Sequence, residues 1–244
     1  MTDTIKSSSE LWLVPAGIAG CDMSSFATER HLKVMNSAAV WVVEEARTAR
    51  RMIASVIKGF DFDRRQWFQL EKEQKNASAP LWKQAMKSAP PGAAWALMSE
   101  AGMPGVADPG AEVVSLAHNL GWSVNVLSGP SSIIMALAAS GFNGQQFHFH
   151  GYLPVEGKAL HQRIQELEQA ALRGTTQLFI ETPYRSDRMM QALLQNLRPG
   201  TSLSVMAGLD EPNAFCAVKT AGEWSKNIPQ IGKRPTVFLI GMPK

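Results

Sequence analysis

The chain has 244 residues, 45% of them hydrophobic and 18% charged, with a formal net charge of +3. That is enough apolar material for one large domain or two small ones, and it permits an anionic partner without demanding one. No apolar run approaches the roughly 20 residues that cross a bilayer, and the polar, Ser-rich residues 1–10 lack the apolar stretch of a secretory signal. Cys21 and Cys216 have no C-x-x-C spacing and read as free thiols of a reducing cytoplasm.

In chain order, residues 11–14 (Leu-Trp-Leu-Val) read as a buried strand, followed by the Gly-bearing loop 15–20. Ser24 or Ser25 is expected to cap a helix running to about Met35. Residues 40–43 form the second strand. After it come Glu44-Glu45-Ala46-Arg47-Thr48-Ala49-Arg50-Arg51. On a helix Arg47, Arg50 and Arg51 fall at i, i+3 and i+4 and share a face. That face either grips a phosphate backbone or, as is more common for a charge run, is solvated and paired with Glu44 and Glu45. A strand at 66–70 and a helix at 80–87, capped by Ser78, lead to Pro90-Pro91-Gly92 and the central apolar strand 93–98.

The stretch after that strand is Ser99-Glu100-Ala101-Gly102-Met103-Pro104-Gly105-Val106-Ala107-Asp108-Pro109-Gly110. Its small residues and turn formers bring backbone N–H groups to the carboxyl edge of the sheet, where α/β folds bind ligands. Gly102 and Gly105 let a ligand approach the main chain where a Cβ would block it. Asp108-Pro109 reads as an N-cap and first helical residue, opening a helix that ends at Gly121 before a strand at 124–127. Taken alone, such a stretch is more often an ordinary strand–turn–helix corner.

Residues 128–132 (Ser-Gly-Pro-Ser-Ser) mark the boundary between two domains, 11–127 and 128–244. The second half opens with an apolar helix at 133–140 and a strand at 146–150. His148 and His150 share one face of that strand, but no third ligand is near, so packing or surface roles outweigh a metal. A helical stripe (Leu160, Ile164, Leu167, Ala171), a strand at 177–180, a helix at 187–197, strands at 203–207 and 214–219, a capping box at 220–223 and a last strand at 236–240 complete it. The fold class is α/β in both halves, with more hairpin-like neighbours in the second.

Five collinear motifs carry a family resemblance. They are Ser99-Glu100-Ala101-Gly102-Met103-Pro104 with Asp108-Pro109-Gly110; Ser128-Gly129-Pro130-Ser131; Ala139-Ser140-Gly141; Phe149-His150-Gly151-Tyr152-Leu153-Pro154; and Glu181-Thr182-Pro183-Tyr184-Arg185. From about residue 11 to 240 the chain resembles the tetrapyrrole-methylase superfamily of S-adenosylmethionine-dependent methyltransferases. It is most similar to the branch that methylates a cytidine ribose 2′-hydroxyl in small-subunit ribosomal RNA. The resemblance implies two α/β domains with S-adenosylmethionine in the cleft between them and a homodimer; the cysteines point to a cytoplasmic location, the lack of a long apolar run to no membrane partner, and the lack of a third ligand to no metal. Its implied cofactor-binding residues are Pro15 in the first loop and Ser99, Glu100, Ala101, Gly102, Pro104 and Val106 in the central loop. The second domain adds Ser131, Ser132, Thr182, Pro183, Ala207 and Pro235.

The chain departs from that branch near the implied acceptor. Glu44-Glu45-Ala46-Arg47 stands for Glu-Asp-Thr-Arg, Thr182-Pro183-Tyr184-Arg185 for Ser-Pro-His-Arg, and residues 208–212 (Gly-Leu-Asp-Glu-Pro) for an element bearing Glu-Leu-Thr-Lys. A ribose hydroxyl is a poor nucleophile near neutral pH and benefits from a positioned base. Glu45, Asp108 and Glu181 lie near expected strand ends, with Arg47 and Arg185 placed to hold phosphates. Residues alternate across a strand, so Glu44 and Glu45 should diverge. Glu45 is the expected base and Glu181 its competitor. Ribosomal RNA is the first acceptor, a tetrapyrrole carbon the second, and a cofactor-binding homologue without transfer the third reading.

Overall fold

The computed structural model describes residues 8–18, 21–70 and 80–243. Residues 1–7 of the leader, Ala19 and Gly20 of the first loop, and the expected cap Ser78 lie outside the described residues. The chain divides into two compact units, Met1–Pro130 and Ser131–Lys244.

The first unit is built on β1 (Glu10–Leu13), β2 (Val40–Val43), β3 (Gln66–Gln69), β4 (Ala94–Met98) and β5 (Ser123–Val126). They form one sheet in the order β3-β2-β4-β1-β5, and all four pairings are parallel. Parallel neighbours need crossover connections, supplied here by α1 (Glu29–Ser37), α2 (Ala46–Val56), α3 (Leu81–Lys87) and α4 (Ala111–Asn119). The period of two along each strand then fills both faces. Trp41, Val43, Ala96 and Met98 pack with Met35 of α1 and Ile53 of α2. Val42, Trp95 and Leu97 pack with Trp82 of α3 and Val113 of α4. β1 and β4 are neighbours, yet the helices that follow them cover opposite faces. The carboxyl ends of these two strands therefore flank a topological switch point, the crevice where open α/β sheets take ligands.

Two helix starts differ from expectation. Residues Met23–Ser25 make a single 3-10 turn, whose Ser24 N–H donates to Asp22, so Ser24 and Ser25 cap nothing longer. α1 begins at Glu29 behind Thr28, and the Nδ1 of His31 accepts the Thr28 N–H at 3.2 Å. With Nδ1 accepting, the other ring nitrogen is left to donate, and Nε2 lies 2.7 Å from the Ser128 carbonyl. His31 is 1% exposed and thereby ties the start of α1 to the turn after β5. The second difference is at Asp108-Pro109, which does not open α4. Gly110, at φ +131°, is the N-cap, and this leaves the Asp108 carboxyl to face other groups.

The second unit holds β6 (Phe147–Tyr152), β7 (Thr176–Glu181), β8 (Ser202–Ala207), β9 (Phe215–Thr220) and β10 (Thr236–Gly241), in the order β6-β7-β10-β8-β9. Only β6 and β7 run parallel; the other pairings are antiparallel. Its helices are α5 (Ser132–Ser140), α6 (Gly157–Leu172), α7 (Ser186–Asn196) and α8 (Ala221–Lys226). The expected stripe Leu160, Ile164, Leu167 and Ala171 is buried with Phe179, Leu203 and Phe238. The Thr220–Glu223 capping box is present, with the Glu223 N–H donating to Thr220 Oγ1 at 3.2 Å. α5 ends on Gly141 in the left-handed region, as the apolar helix followed by glycine implied.

Gly129 belongs to the turn that His31 holds. A Cβ there would lie 2.2 Å from Cβ of Pro15, so Gly129→Ala must displace the first loop or the turn. Overpacking of this kind costs about 1–3 kcal/mol. Urea unfolding followed by tryptophan fluorescence reads mainly the first unit, because six of the seven tryptophans lie there. The midpoint should fall for Gly129→Ala; an unchanged midpoint would mean that the Pro15 ring is not fixed against the turn.

Candidate functional site

The loops after β1 and β4 are joined by main-chain bonds at the switch point. The Ala16 N–H donates to the Gly102 carbonyl at 2.8 Å, and the Gly102 N–H to the Gly17 carbonyl at 3.4 Å. Gly102 sits at φ +66°, where a β-branched side chain would be strained whatever the space. A Cβ on it would lie 3.7 Å from the Pro130 carbonyl, so the turn after β5 reaches the same corner. Three loops thus converge at one end of the first sheet. Ser99 opens the central loop at 3% exposure, and its buried Oγ has no hydrogen-bond partner among the described residues. An orphaned buried hydroxyl is costly unless something supplies a partner.

The residues with an implied cofactor role fall into two groups, one in each unit. Pro15, Ser99, Glu100, Ala101, Gly102, Pro104 and Val106 belong to the converging loops of the first unit. In the second, Thr236 pairs with both Glu181 and Ala207, which brings Thr182, Pro183, Ala207 and Pro235 to one end of the second sheet. The Gly208 N–H donates to the Pro235 carbonyl at 3.0 Å. Ser131 is the N-cap of α5 and Ser132 its first residue.

The carboxylates are arranged differently from expectation. Glu45 is the N-cap of α2 and accepts the Thr48 N–H at 2.7 Å. Backbone N–H groups of Arg47 and Thr48 hold its carboxyl below the usual range, so it is a weakened base already engaged in capping. Glu181 is also committed. Its side chain is fully buried, one oxygen accepts the Thr182 N–H at 2.6 Å and the other pairs with Arg185 at 2.7 Å. Arg185 is in consequence a partner of Glu181 and not an unengaged phosphate ligand. Glu44 diverges from Glu45 as strand alternation implies. It crosses to the central loop, where it accepts the Glu100 N–H at 3.2 Å. Thr48 Oγ1 in turn donates to Glu100 at 3.4 Å.

Asp108 faces this pair. Burial, with the charges of Glu44 and then Glu100, pushes its carboxyl up from 3.8 to about 6. A carboxyl poised near neutrality beside a ligand crevice suits proton transfer. In the sequence Asp108 stands with Glu45 and Glu181 as a carboxylate near a strand end, and the family's aspartate position favours Glu45. The convergence of Glu44, Glu100 and Asp108 follows from β2 lying beside β4, a strand order without a local signal.

Arg47, Arg50 and Arg51 are exposed on α2, and none lies within 4.0 Å of a carboxylate among the described residues, although the Arg47 charge acts on Glu45. His148 and His150 lie with ring centroids 4.1 Å apart. His150 is held between Gln177 at 2.7 Å and Arg163 at 2.8 Å, and no group of three potential metal ligands occurs among the described residues. No described helix is long and apolar enough to cross a membrane.

With this architecture in view, residues 10–209 match the family described as Tetrapyrrole (Corrin/Porphyrin) Methylases, and the chain belongs to that family. Among curated proteins it is 30% identical over 187 residues to ribosomal RNA small subunit methyltransferase I of Vibrio cholerae, covering 77% of this chain and 60% of that one. The Bacillus subtilis protein of the same name is 28% identical over 187 residues, covering 77% and 59%. The chain thus spans about three-fifths of the length of these relatives. Among solved structures it resembles the methyltransferase CobJ, with a TM-score of 0.59 at 15% identity over 96% of this chain and 94% of that one. Uroporphyrin III C-methyl transferase from Thermus thermophilus gives 0.53 at 16% identity over 96% and 97%. These two likenesses bear on fold alone.

The Asp108 environment makes a pH-dependent prediction. Its folded pKa lies above the unfolded one, so the native state holds the proton more tightly and stability from this group is lost as pH rises from about 4 to 6. Asp108→Asn mimics the protonated form. It should match wild type near pH 4 and be more stable than wild type above pH 6, measured by urea unfolding at both pH values. An Asn variant less stable at pH 7.5 would contradict the crowding by Glu44 and Glu100.

Proposed function

We propose that the chain is an S-adenosylmethionine-dependent methyltransferase acting on a ribose 2′-hydroxyl of ribosomal RNA, as a cytoplasmic homodimer. The observation that carries this reading is the switch-point crevice, bordered by a loop with a glycine-shaped backbone, a Ser99 hydroxyl without a partner among the described residues at one end and a near-neutral Asp108 carboxyl toward the other. Family membership supports methyl transfer, and the names of the curated relatives support a ribosomal RNA acceptor.

The residues present fit the cofactor. Ser99 Oγ has no partner among the described residues and a polar ligand would supply one, and positive φ at Gly102 and Gly105 leaves main chain open to close approach. Pro15, Ser99, Glu100, Ala101, Gly102, Pro104 and Val106 of the first unit, with Ser131, Ser132, Thr182, Pro183, Ala207 and Pro235 of the second, are the proposed binding residues. S-adenosylmethionine supplies a methyl group activated on a sulfonium sulfur. The work left to the protein is alignment, exclusion of water and removal of the hydroxyl proton. Asp108 would take that proton from the acceptor hydroxyl, to which the cofactor, when bound, would supply the methyl group. Glu45 caps α2 and so holds Arg47 in place; Glu181 fixes the Thr182–Arg185 corner. Arg47 holds an acceptor phosphate.

Two variants test the assignment on intact protein. Ser99→Ala removes a hydroxyl that has no partner among the described residues, so its thermal stability should be unchanged or higher. Loss of one hydrogen bond to the cofactor should weaken S-adenosylmethionine binding by about two- to tenfold in calorimetry. Unchanged affinity would remove Ser99 from the site. Asp108→Asn should slow single-turnover transfer to small-subunit ribosomal RNA by about 10²–10⁴-fold with cofactor affinity nearly intact. The wild-type rate should rise with pH through about 6, since the base acts when deprotonated. A wild-type rate for Asp108→Asn would assign the chemistry to alignment alone.

A further inference from the structure

The outer face of α2 meets the edge strand β3 in an arrangement that the proposed chemistry does not use. Trp67 of β3 stacks on the fully buried Trp41, with centroids 5.5 Å apart and planes 19° from parallel. Its indole N–H donates to the Phe62 carbonyl at 3.0 Å, and the Phe62 ring lies 6.1 Å away. Two aromatic rings are thereby fixed as a ledge beside α2. The Arg50 guanidinium lies over this ledge, 5.1 Å from the Trp67 centroid and 6.0 Å from that of Phe62.

Arg50 is nevertheless exposed and has no acidic partner among the described residues, so its cationic group is positioned by the ledge and accessible to solvent. Arg47 and Arg51 lie one turn away or adjacent on the same helix, also exposed and without an ion pair among the described residues. From Arg47 to Arg51 the helix rises about 6 Å. The first turn of α2 is linked to the carboxylate corner through Thr48 and Glu100, so the stripe of guanidinium groups runs toward the proposed chemistry.

We propose that this face binds the acceptor RNA as an unpaired strand. A base stacks on the open face of the Arg50 guanidinium, and Arg47 and Arg51 hold phosphates. The inference rests on the reading of the chain as an RNA methyltransferase and adds the form in which the RNA is taken. Charge complementarity favours a polyanion. The held plane favours one whose bases are unstacked, because a duplex hides its base faces while a single strand offers them to aromatic and guanidinium planes. A lysine at position 50 keeps the charge and loses the plane, which separates stacking from simple attraction.

The test is fluorescence anisotropy with a labelled unpaired RNA of about 12 nucleotides, within the usual site size, and with the same strand annealed to its complement. Wild type should bind the unpaired strand at least about fivefold more tightly than the duplex. Arg50→Lys and Arg50→Ala should each lose about fivefold or more for the unpaired strand, with the salt slope unchanged in Arg50→Lys. Both variants should keep the wild-type melting temperature, since Arg50 is an exposed residue. Equal affinity for duplex, or wild-type affinity in Arg50→Lys, overturns the proposal. If wild type still methylates ribosomal RNA while either result holds, the inference alone fails. If it transfers no methyl group to any RNA, the functional reading fails with it.

Discussion

The structure depends first on the placement of two strands. β1 and β4 are hydrogen-bonded neighbours, yet one feeds a helix on one face of the sheet and the other a helix on the opposite face. No helix can then cover the carboxyl ends of both, and a crevice remains. What occupies its rim follows from short loops. The first loop must turn without blocking it, which the Ala16–Gly102 and Gly102–Gly17 main-chain bonds accomplish. The central loop must follow the crevice with left-handed residues at Gly102, Gly105 and Ala107. Ala107 is the informative case. A non-glycine residue in that region is strained, and it stands immediately before Asp108. The backbone is held there by its surroundings, and the carboxyl that follows is delivered to Glu44 and Glu100 instead of to the start of α4.

Electrostatics then assign different roles to the acidic residues. Backbone N–H groups at a helix start stabilise an ionised carboxylate, and Glu45 sits in that environment. Burial beside other carboxylates does the reverse, and Asp108 sits in that one. Glu181 is buried but fully partnered, so its charge fixes the corner after β7. Environment, more than proximity to a strand end, separates a capping acid, a buried pairing acid and a carboxyl poised near neutrality.

Much of this was legible in the sequence. Apolar runs such as Ala94 to Met98, closed by small and turn-forming residues, located the strands and the loop that follows β4, because a buried parallel strand and a glycine-rich turn each leave local signatures. The stripe on α6 and the box at Thr220 were readable for the same reason. Asp108 reads as a cap in the sequence because Asp-Pro carries that local signal, whereas Gly110 takes the capping position in the structure. Glu45 holds the position of the family's aspartate, and that position alone does not distinguish a carboxylate that caps a helix from one that faces a crevice. The His31–Ser128 bond joins residues 97 apart, and the Arg50–Trp67 contact needs β3 beside β2; both depend on strand order, which a linear pattern does not encode.

The central claim is that methyl transfer at the switch-point crevice ends on a ribose oxygen. The most direct measurement incubates the protein with labelled S-adenosylmethionine, small-subunit ribosomal RNA and a tetrapyrrole fraction, then hydrolyses the recovered RNA in alkali. A 2′-O-methyl group blocks cleavage of the adjoining phosphodiester, so the account predicts label in an alkali-stable dinucleotide. Label in the tetrapyrrole, label on a free mononucleotide base, or no transfer at all would contradict it.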